Sequence, residues 1–364
     1  MIYNIYDYLN FRGDLSFEKD EVNPIDAVIF ARLSYLPMGL YMDEESEITL
    51  GKLAKKLIKH KKFEESLLLP EDSTLLKRIS TLERYKDIIA FGFMNEIDLE
   101  IEKQFSAITF KLPNSLGVVS FRGTDKSIVG WKEDFNLSFL DYIPSQQDAT
   151  KYLEDISKNF DRLILTGHSK GGNLALYSLT HCVKETYDKI VSAYNFDGPG
   201  LQSKILKGEV KRRANEKITH YIPEGSVVGT LLEQEGEIKI VSSTEKNFAQ
   251  HDIFYWGISG PDFNYLPHRS PESKFAEFTL KEWMLNIPEE NRKMFFKYLY
   301  DLFYNIGKTE INYNFNNAEF LKTLGKLTFS LKDLPPNQRK MILDGVMELF
   351  KTATKNFNLM KELK

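Results

Sequence analysis

Residues 163–175 read Leu-Ile-Leu-Thr-Gly-His-Ser-Lys-Gly-Gly-Asn-Leu-Ala and hold the groups best placed to do chemistry. Gly167-His168-Ser169-Lys170-Gly171 fits the spacing G-x-S-x-G. The apolar run Leu163–Leu165 precedes it, and a helical spacing of Leu174, Ala175, Tyr177 and Leu179 follows. Strand, sharp turn and helix form the setting in which a serine hydroxyl is raised above a sheet edge. Glycine on both flanks lets the backbone pass such a turn without a Cβ clash. The helix starting there aims its first N–H groups at any oxyanion beside the serine. The expected chemistry is nucleophilic attack by Ser169. A chance serine in an ordinary strand–loop–helix unit is the plain alternative, and the neighbouring motifs weigh against it.

A serine nucleophile needs a base to take its proton and an acid to orient that base. With an elbow of this kind, the partners follow in the order nucleophile, acid, histidine. Among the histidines, His60 precedes the elbow in a basic helix, His168 diverges from the serine around the turn, and His181 lies far along the elbow helix. His220 falls inside a strand and reads as a satisfied sheet residue. His268 sits in a loop beside Pro267 and stays a candidate. His251 follows the polar loop Asn247-Phe248-Ala249-Gln250, after the last core strand, and is the expected base. For the acid, Asp197 ends the strand before Gly198-Pro199-Gly200, at the carboxyl edge from which it can reach a histidine over the same rim. Glu224, at the end of the next strand, is the alternative, and Asp252 a further one; Asp197 and Glu224 both also suit turns. The strand Val118–Phe121 runs into Arg122-Gly123-Thr124-Asp125. The N–H groups of Thr124 and Lys170 are expected to form an oxyanion hole, with the Thr124 hydroxyl as a third donor.

These groups need a sheet to carry them. Residues 1–100 read as a mainly helical N-terminal segment packed on the core, with helical spacing over 25–33, 48–58 and 75–85. Residues 101–269 read as the core: strands over 105–111 and 117–122 joined as a hairpin, a helix over 147–160, then strands over 189–196, 217–222 and 237–242. Strands alternating with helices predict an α/β fold with a mostly parallel central sheet covered on both faces. Residues 270–364 read as a helical C-terminal region, with helices over 275–285, 289–304, 316–324 and 337–357. Residues 126–146, rich in Phe135, Leu137, Phe139, Leu140 and Tyr142, read either as a lid or as core packing under a loop.

With 364 residues, 42% hydrophobic and 13% aromatic, the chain can bury a large core and is not disordered by composition. A net charge of −4 gives no reason to expect nucleic acid as a partner. Lys55-Lys56 and Lys59–Lys62 make one basic helix face, read as solvated or as a peripheral membrane contact. Cys182 is the single cysteine, so there is no internal disulfide, which fits the cytoplasm. The N-terminus lacks the features of a signal peptide, and no apolar run is long enough to cross a bilayer. No metal-ligand spacing appears, and the chemistry read above needs neither a metal nor an organic cofactor. The oligomeric state is open.

Phe121-Arg122-Gly123-Thr124, then Trp131, Asp134 and Gly167–Ala175, together resemble the class 3, fungal-type triacylglycerol lipases. The chain is similar more closely still to a bacterial family of lipase-like α/β-hydrolase proteins of uncharacterised function. Tyr8-Leu9, Arg12–Phe17, Phe196–Gly200 and Gln250–Trp256 carry that further likeness, which spans roughly residues 1–300. The resemblance implies the α/β-hydrolase fold, with Ser169 as nucleophile, His251 as base and Thr124 in the oxyanion hole. It splits on the acid. Class 3 lipases place an aspartate where this chain has a position near Ser226, whereas pancreatic-type lipases place it in a context resembling Asp197. Lys170 also departs from the apolar residue usual after the nucleophile; it reads as a snorkelling surface cation or as a contact to an anionic part of the substrate. The function implied is a serine hydrolase of the lipase/esterase type acting on a small ester or lipid. A catalytically silent hydrolase-fold scaffold or binding protein is the alternative.

Overall fold

Alternating apolar side chains sort the strands of this chain onto two faces of one sheet. The structure is a computed structural model and describes residues 2–125, 127–305 and 331–362. The strands are β1 (Glu47–Thr49), β2 (Ile89–Asp98), β3 (Lys103–Leu112), β4 (Leu116–Phe121), β5 (Arg162–His168), β6 (Ile190–Phe196), β7 (Ile218–Pro223), β8 (Glu237–Val241), β9 (Ile258–Ser259), β10 (Asp262–Phe263) and β11 (Tyr265–Leu266). Nine of them join in the order β1-β2-β3-β4-β5-β6-β7-β8-β11, and β9 pairs with β10 separately.

The sheet is parallel through its centre, as expected, and mixed towards its edges. β4 to β8 are parallel to one another, whereas β1 to β4 form an antiparallel meander and β11 closes the far edge antiparallel to β8. β2 was not visible as a strand. Its first half is buried on both faces and reads as a continuous apolar run, which periodicity cannot tell from a helix. Gly92, at φ +62°, sits where the β2–β3 register shifts between Phe91 and Met94, the backbone setting a bulge needs.

Four helices cover one face: α1 (Ile5–Arg12), α2 (Pro24–Leu33), α3 (Leu50–Lys59) and α4 (Glu71–Ile79). They pack on Ala90, Ile108, Phe110, Val118, Ile164, Phe196 and Tyr221. A short helix, α5 (Ile128–Asn136), follows β4, and α6 (Pro144–Ser157), α7 (Lys170–His181), α8 (Lys184–Lys189) and α9 (Gly208–Lys217) cover the opposite face, on Phe105, Ala107, Val119, Leu163, Leu165, Ala193 and Ile218. Val118 and Val119 point into different cores, as do Ile164 and Leu165; this is the period of two expected of a strand. The C-terminal helices α10 (Pro271–Asn286), α11 (Glu289–Asn305) and α12 (Pro336–Glu362) build a third apolar cluster around Trp283, Phe295, Tyr298 and Ile342. The expected helix over 316–324 lies outside the described residues. Phe135 of α5 stacks on Phe296 of α11 at 4.9 Å, so α5 packs against the C-terminal helices.

Buried charge ties the N-terminal helices to one another. α2 starts with a reciprocal cap between Asn23 and Asp26. The Asp26 carboxylate then accepts from the Arg84 Nε and Nη2 groups at 2.8 and 2.5 Å and from the Tyr8 and Tyr85 hydroxyls at 2.8 and 2.6 Å. Arg84 also donates to the carbonyls of Leu15, Asp20 and Glu21. The segment Arg12–Phe17, which carried part of the family likeness, therefore wraps a buried guanidinium, with the Phe17 ring 4.2 Å from it. Arg84→Met would leave a buried carboxylate without its cation, a loss typically worth about 3–5 kcal/mol. Urea unfolding should show it, and a change under about 1 kcal/mol would contradict the assignment.

His220 on β7 is the satisfied sheet residue expected. The Asn195 amide donates to its Nδ1 at 3.1 Å, and its Nε2 donates to the Glu235 carbonyl at 2.9 Å. Burial pushes its pKa down to about 4. A base whose folded pKa is depressed stabilises the fold above its unfolded value near 6.5 and loses that contribution as pH falls towards 4. The stability gap between the wild type and His220→Asn should therefore narrow by up to about 3 kcal/mol between pH 7 and pH 4. Parallel denaturation curves across that range would refute it.

Candidate active site

The elbow is built by close backbone contact. Ser169 sits at φ 57°, ψ −133°, between the end of β5 and the start of α7. A Cβ at Gly167 would lie 2.1 Å from the Gly171 carbonyl oxygen, and one at Gly171 would lie 2.1 Å from that of Phe121. Neither position admits another residue without displacing backbone. The Ser169 N–H donates to the Phe196 carbonyl at 2.9 Å, which ties the elbow to the neighbouring strand. Ser169 is half-buried, while the α7 residues behind it are buried through Thr180.

Asp197 and His251 meet over the rim. Asp197 follows β6 at φ 50°, with its N–H on the Tyr221 carbonyl at 2.9 Å. His251 Nδ1 donates to Asp197 Oδ2 at 2.7 Å, with the two side chains 13% and 1% exposed. The other carboxylate oxygen, Oδ1, accepts from the Ser226 hydroxyl and from the Gly229 N–H at 3.1 Å. Burial raises the Asp197 carboxyl above its ordinary range, against the pull of His251 and Ser226. Glu224 stands at the end of β7, where its carbonyl accepts from Ser270, and His251 is paired to Asp197 rather than to it. Asp252 caps the turn at Phe254. Among the described residues, the Ser169 hydroxyl makes no hydrogen bond to His251; such bonds are commonly long before substrate arrives.

His168 does work that was not foreseen. Its ring lies 4.5 Å from that of His251, and its Nε2 donates to the His251 carbonyl at 2.7 Å. Burial holds its pKa well below the usual value, so the ring is neutral with Nδ1 as its acceptor. Tyr35, just beyond α2, faces that nitrogen at 3.3 Å and donates to the His168 carbonyl at 3.1 Å. Only the fold brings a tyrosine from the first helices to the elbow; nothing in its local sequence marks it.

Two expectations about the oxyanion loop are corrected. The Thr124 hydroxyl donates to Asp134 Oδ2 at 2.6 Å, so its proton is committed and it is not a third donor. The Lys170 side chain is neither a surface cation nor placed to meet a substrate. It is 1% exposed, and its Nζ donates to the Gln104 carbonyl at 2.8 Å, the Gln104 side chain at 2.9 Å and Glu133 Oε2 at 2.7 Å. The physical reason is the burial of α7: a lysine at its first position has no route to water and needs a carboxylate. The absence of any other charge in Lys170–Leu179 was the available signal. Burial pushes Asp134 up to about 6, opposed by Lys170 and Thr124. Among the described residues, no cluster of His, Cys, Asp and Glu could hold a metal ion. Arrangements of this kind can orient an imidazole beside a serine and present helix N–H groups to a developing oxyanion.

No curated protein sequence matches this chain. Among solved structures, the M37 lipase is 16% identical, with 56% of this chain and 68% of that one covered and a TM-score of 0.35. A triacylglycerol lipase from Penicillium expansum is 13% identical, with 46% and 73% covered and a TM-score of 0.28. The Mbeg1-like family model matches residues 79–301, from the end of α4 through β2–β11 and into α11. That span is more than half of the chain and carries Ser169, Asp197 and His251: the protein belongs to the Mbeg1-like family.

Proposed function

We propose that the protein is a serine hydrolase of the lipase/esterase type, built on the α/β-hydrolase fold, that cleaves carboxylic esters through an acyl-enzyme. The observation that carries this reading is the buried Asp197–His251 pair, 2.7 Å apart, at the rim beside a strained Ser169. Ser169 Oγ attacks the ester carbonyl carbon, and its proton passes to His251 Nε2. Asp197 holds Nδ1–H and stabilises the imidazolium without taking its proton. The oxyanion is received at the Lys170 N–H, in the first turn of α7, and at the Thr124 loop. His251 then gives its proton to the leaving alcohol, and a water activated by the same histidine releases the acid. The ester is a small-molecule or lipid substrate. The open Ser169–His251 contact is the one observation favouring a silent scaffold, and the same experiment decides between the two.

Hydrolysis of p-nitrophenyl esters from acetate to palmitate should be measurable, with the chain-length profile separating esterase from lipase. Ser169→Ala should abolish it together with fluorophosphonate labelling. Asp197→Asn should lower kcat by about 10⁴-fold with the fold intact. A folded wild type with neither turnover nor label would favour the scaffold.

A further inference from the structure

Lys170 and Glu133 form an ion pair that the reaction above does not use. Their side chains are 1% and 0% exposed. Every donor and acceptor of the pair is spent on tying chain segments together. Lys170 Nζ, at the start of α7, reaches the Gln104 carbonyl and side chain on β3 as well as Glu133 on α5. Glu133 Oε2 also accepts from the Gln104 N–H at 3.1 Å, and Oε1 accepts from the Ser145 N–H at the head of α6 at 3.1 Å. The next residue on α5, Asp134, takes the Thr124 hydroxyl. Consecutive carboxylates therefore hold the two sides of the oxyanion site, Glu133 through the Lys170 side chain and Asp134 through Thr124. The first turn of α5 leaves no slack in this arrangement. A Cβ at Gly130 would lie 2.9 Å from the Gln104 Oε1 and 2.9 Å from the Thr124 Cγ2.

We infer that Lys170 and Glu133 are positioning residues: the buried pair sets the Lys170 N–H and the Thr124 loop at the spacing that a tetrahedral oxyanion requires. The inference rests on the proposed ester hydrolysis. Its consequence is specific to the transition state. Donors aimed at a charge that develops only during reaction contribute to kcat, and displacing them leaves ground-state binding alone. A pair that merely stabilised the fold would lower the melting temperature and leave the kcat of the folded molecules unchanged.

The test compares the wild type with Lys170→Met, Glu133→Gln and the double variant, using p-nitrophenyl butyrate, a fluorophosphonate and thermal melting. Each substitution keeps the backbone N–H of residue 170, so a loss reports its position. The double variant removes both charges and guards against a single variant that fails to fold. Among variants that melt cooperatively, kcat and the labelling rate should fall about 100-fold together. KM should stay within about threefold, and the pH profile of the residual activity should keep its wild-type acid limb, because the Asp197–His251 pair is untouched. A folded variant with kcat within about threefold of the wild type would overturn the inference while leaving the ester-hydrolase reading in place. A rise in KM at unchanged kcat, or failure of all three variants to fold, would overturn it too, making the pair a binding or a stability element. A wild type that neither turns over nor labels would remove the ester-hydrolase reading and the inference with it.

Discussion

The constraint on which the rest of this structure depends is a single backbone turn. Ser169 holds φ 57°, ψ −133°, where a residue with a Cβ is strained by about 1–3 kcal/mol. Such a conformation survives only if its surroundings over-determine it. Here Gly167 and Gly171 bring backbone into contact that no side chain could allow, and Phe196 takes the serine N–H. The parallel run β4–β5–β6 must therefore hold its register for the turn to exist. That register is supplied by two independent cores, one on each face, and both include residues of β5.

Buried charge supplies the second level of order. Arg84–Asp26, Arg32–Asp72 and Lys170–Glu133 are each almost wholly withdrawn from water. A buried ion pair contributes little net stability, because desolvation cancels most of the attraction. It does penalise every arrangement in which one partner is buried alone. All three pairs join residues that are distant in sequence, so they act on topology: the N-terminal helices can pack on one another only in the arrangement that satisfies Asp26 and Asp72. The same closure brings Tyr35 to the carbonyl and ring of His168. The segment before β2 is thereby structurally continuous with the elbow, although it is remote from it in sequence.

What the sequence made legible was what is local or follows strand ends. The elbow declared itself through glycine spacing within five residues. Asp197 and His251 were legible as candidates because each follows a strand, with Glu224, Asp252 and His268 open beside them; that the two meet at 2.7 Å is visible only in the fold. What stayed hidden depended on which element covers which. The doubly buried start of β2 has no period-two signature, so the extension of the β3–β4 hairpin into a longer antiparallel meander was not legible. Lys170 was misread because a lysine is ordinarily exposed, and only the burial of the whole of α7 reverses that expectation. Glu133 and Gln104 carry no motif; their role exists only once β3, α5 and α7 are brought together.

The carboxylate opposite His251 shows how little the chemistry requires of position. The family likeness offered two places for an acid, after β6 or near Ser226 beyond β7. This chain puts the carboxylate at the first and a hydroxyl at the second. The hydroxyl is not idle: Ser226 donates to Asp197 Oδ1, while Gly229 N–H reaches the same oxygen. An imidazole needs one charged oxygen facing Nδ1, and that oxygen needs its partner atom held by donors so that the carboxylate cannot rotate away. In this chain the charged oxygen comes from the end of β6 and the donors that hold its partner atom come from the loop after β7. The positive φ at Asp197 belongs to this solution, since the chain must turn sharply after Phe196 to aim the carboxylate across the rim while Asp197 N–H stays on Tyr221. Two segments therefore share the task at the imidazole: the end of β6 supplies the charge, and the loop after β7 fixes the direction in which it points.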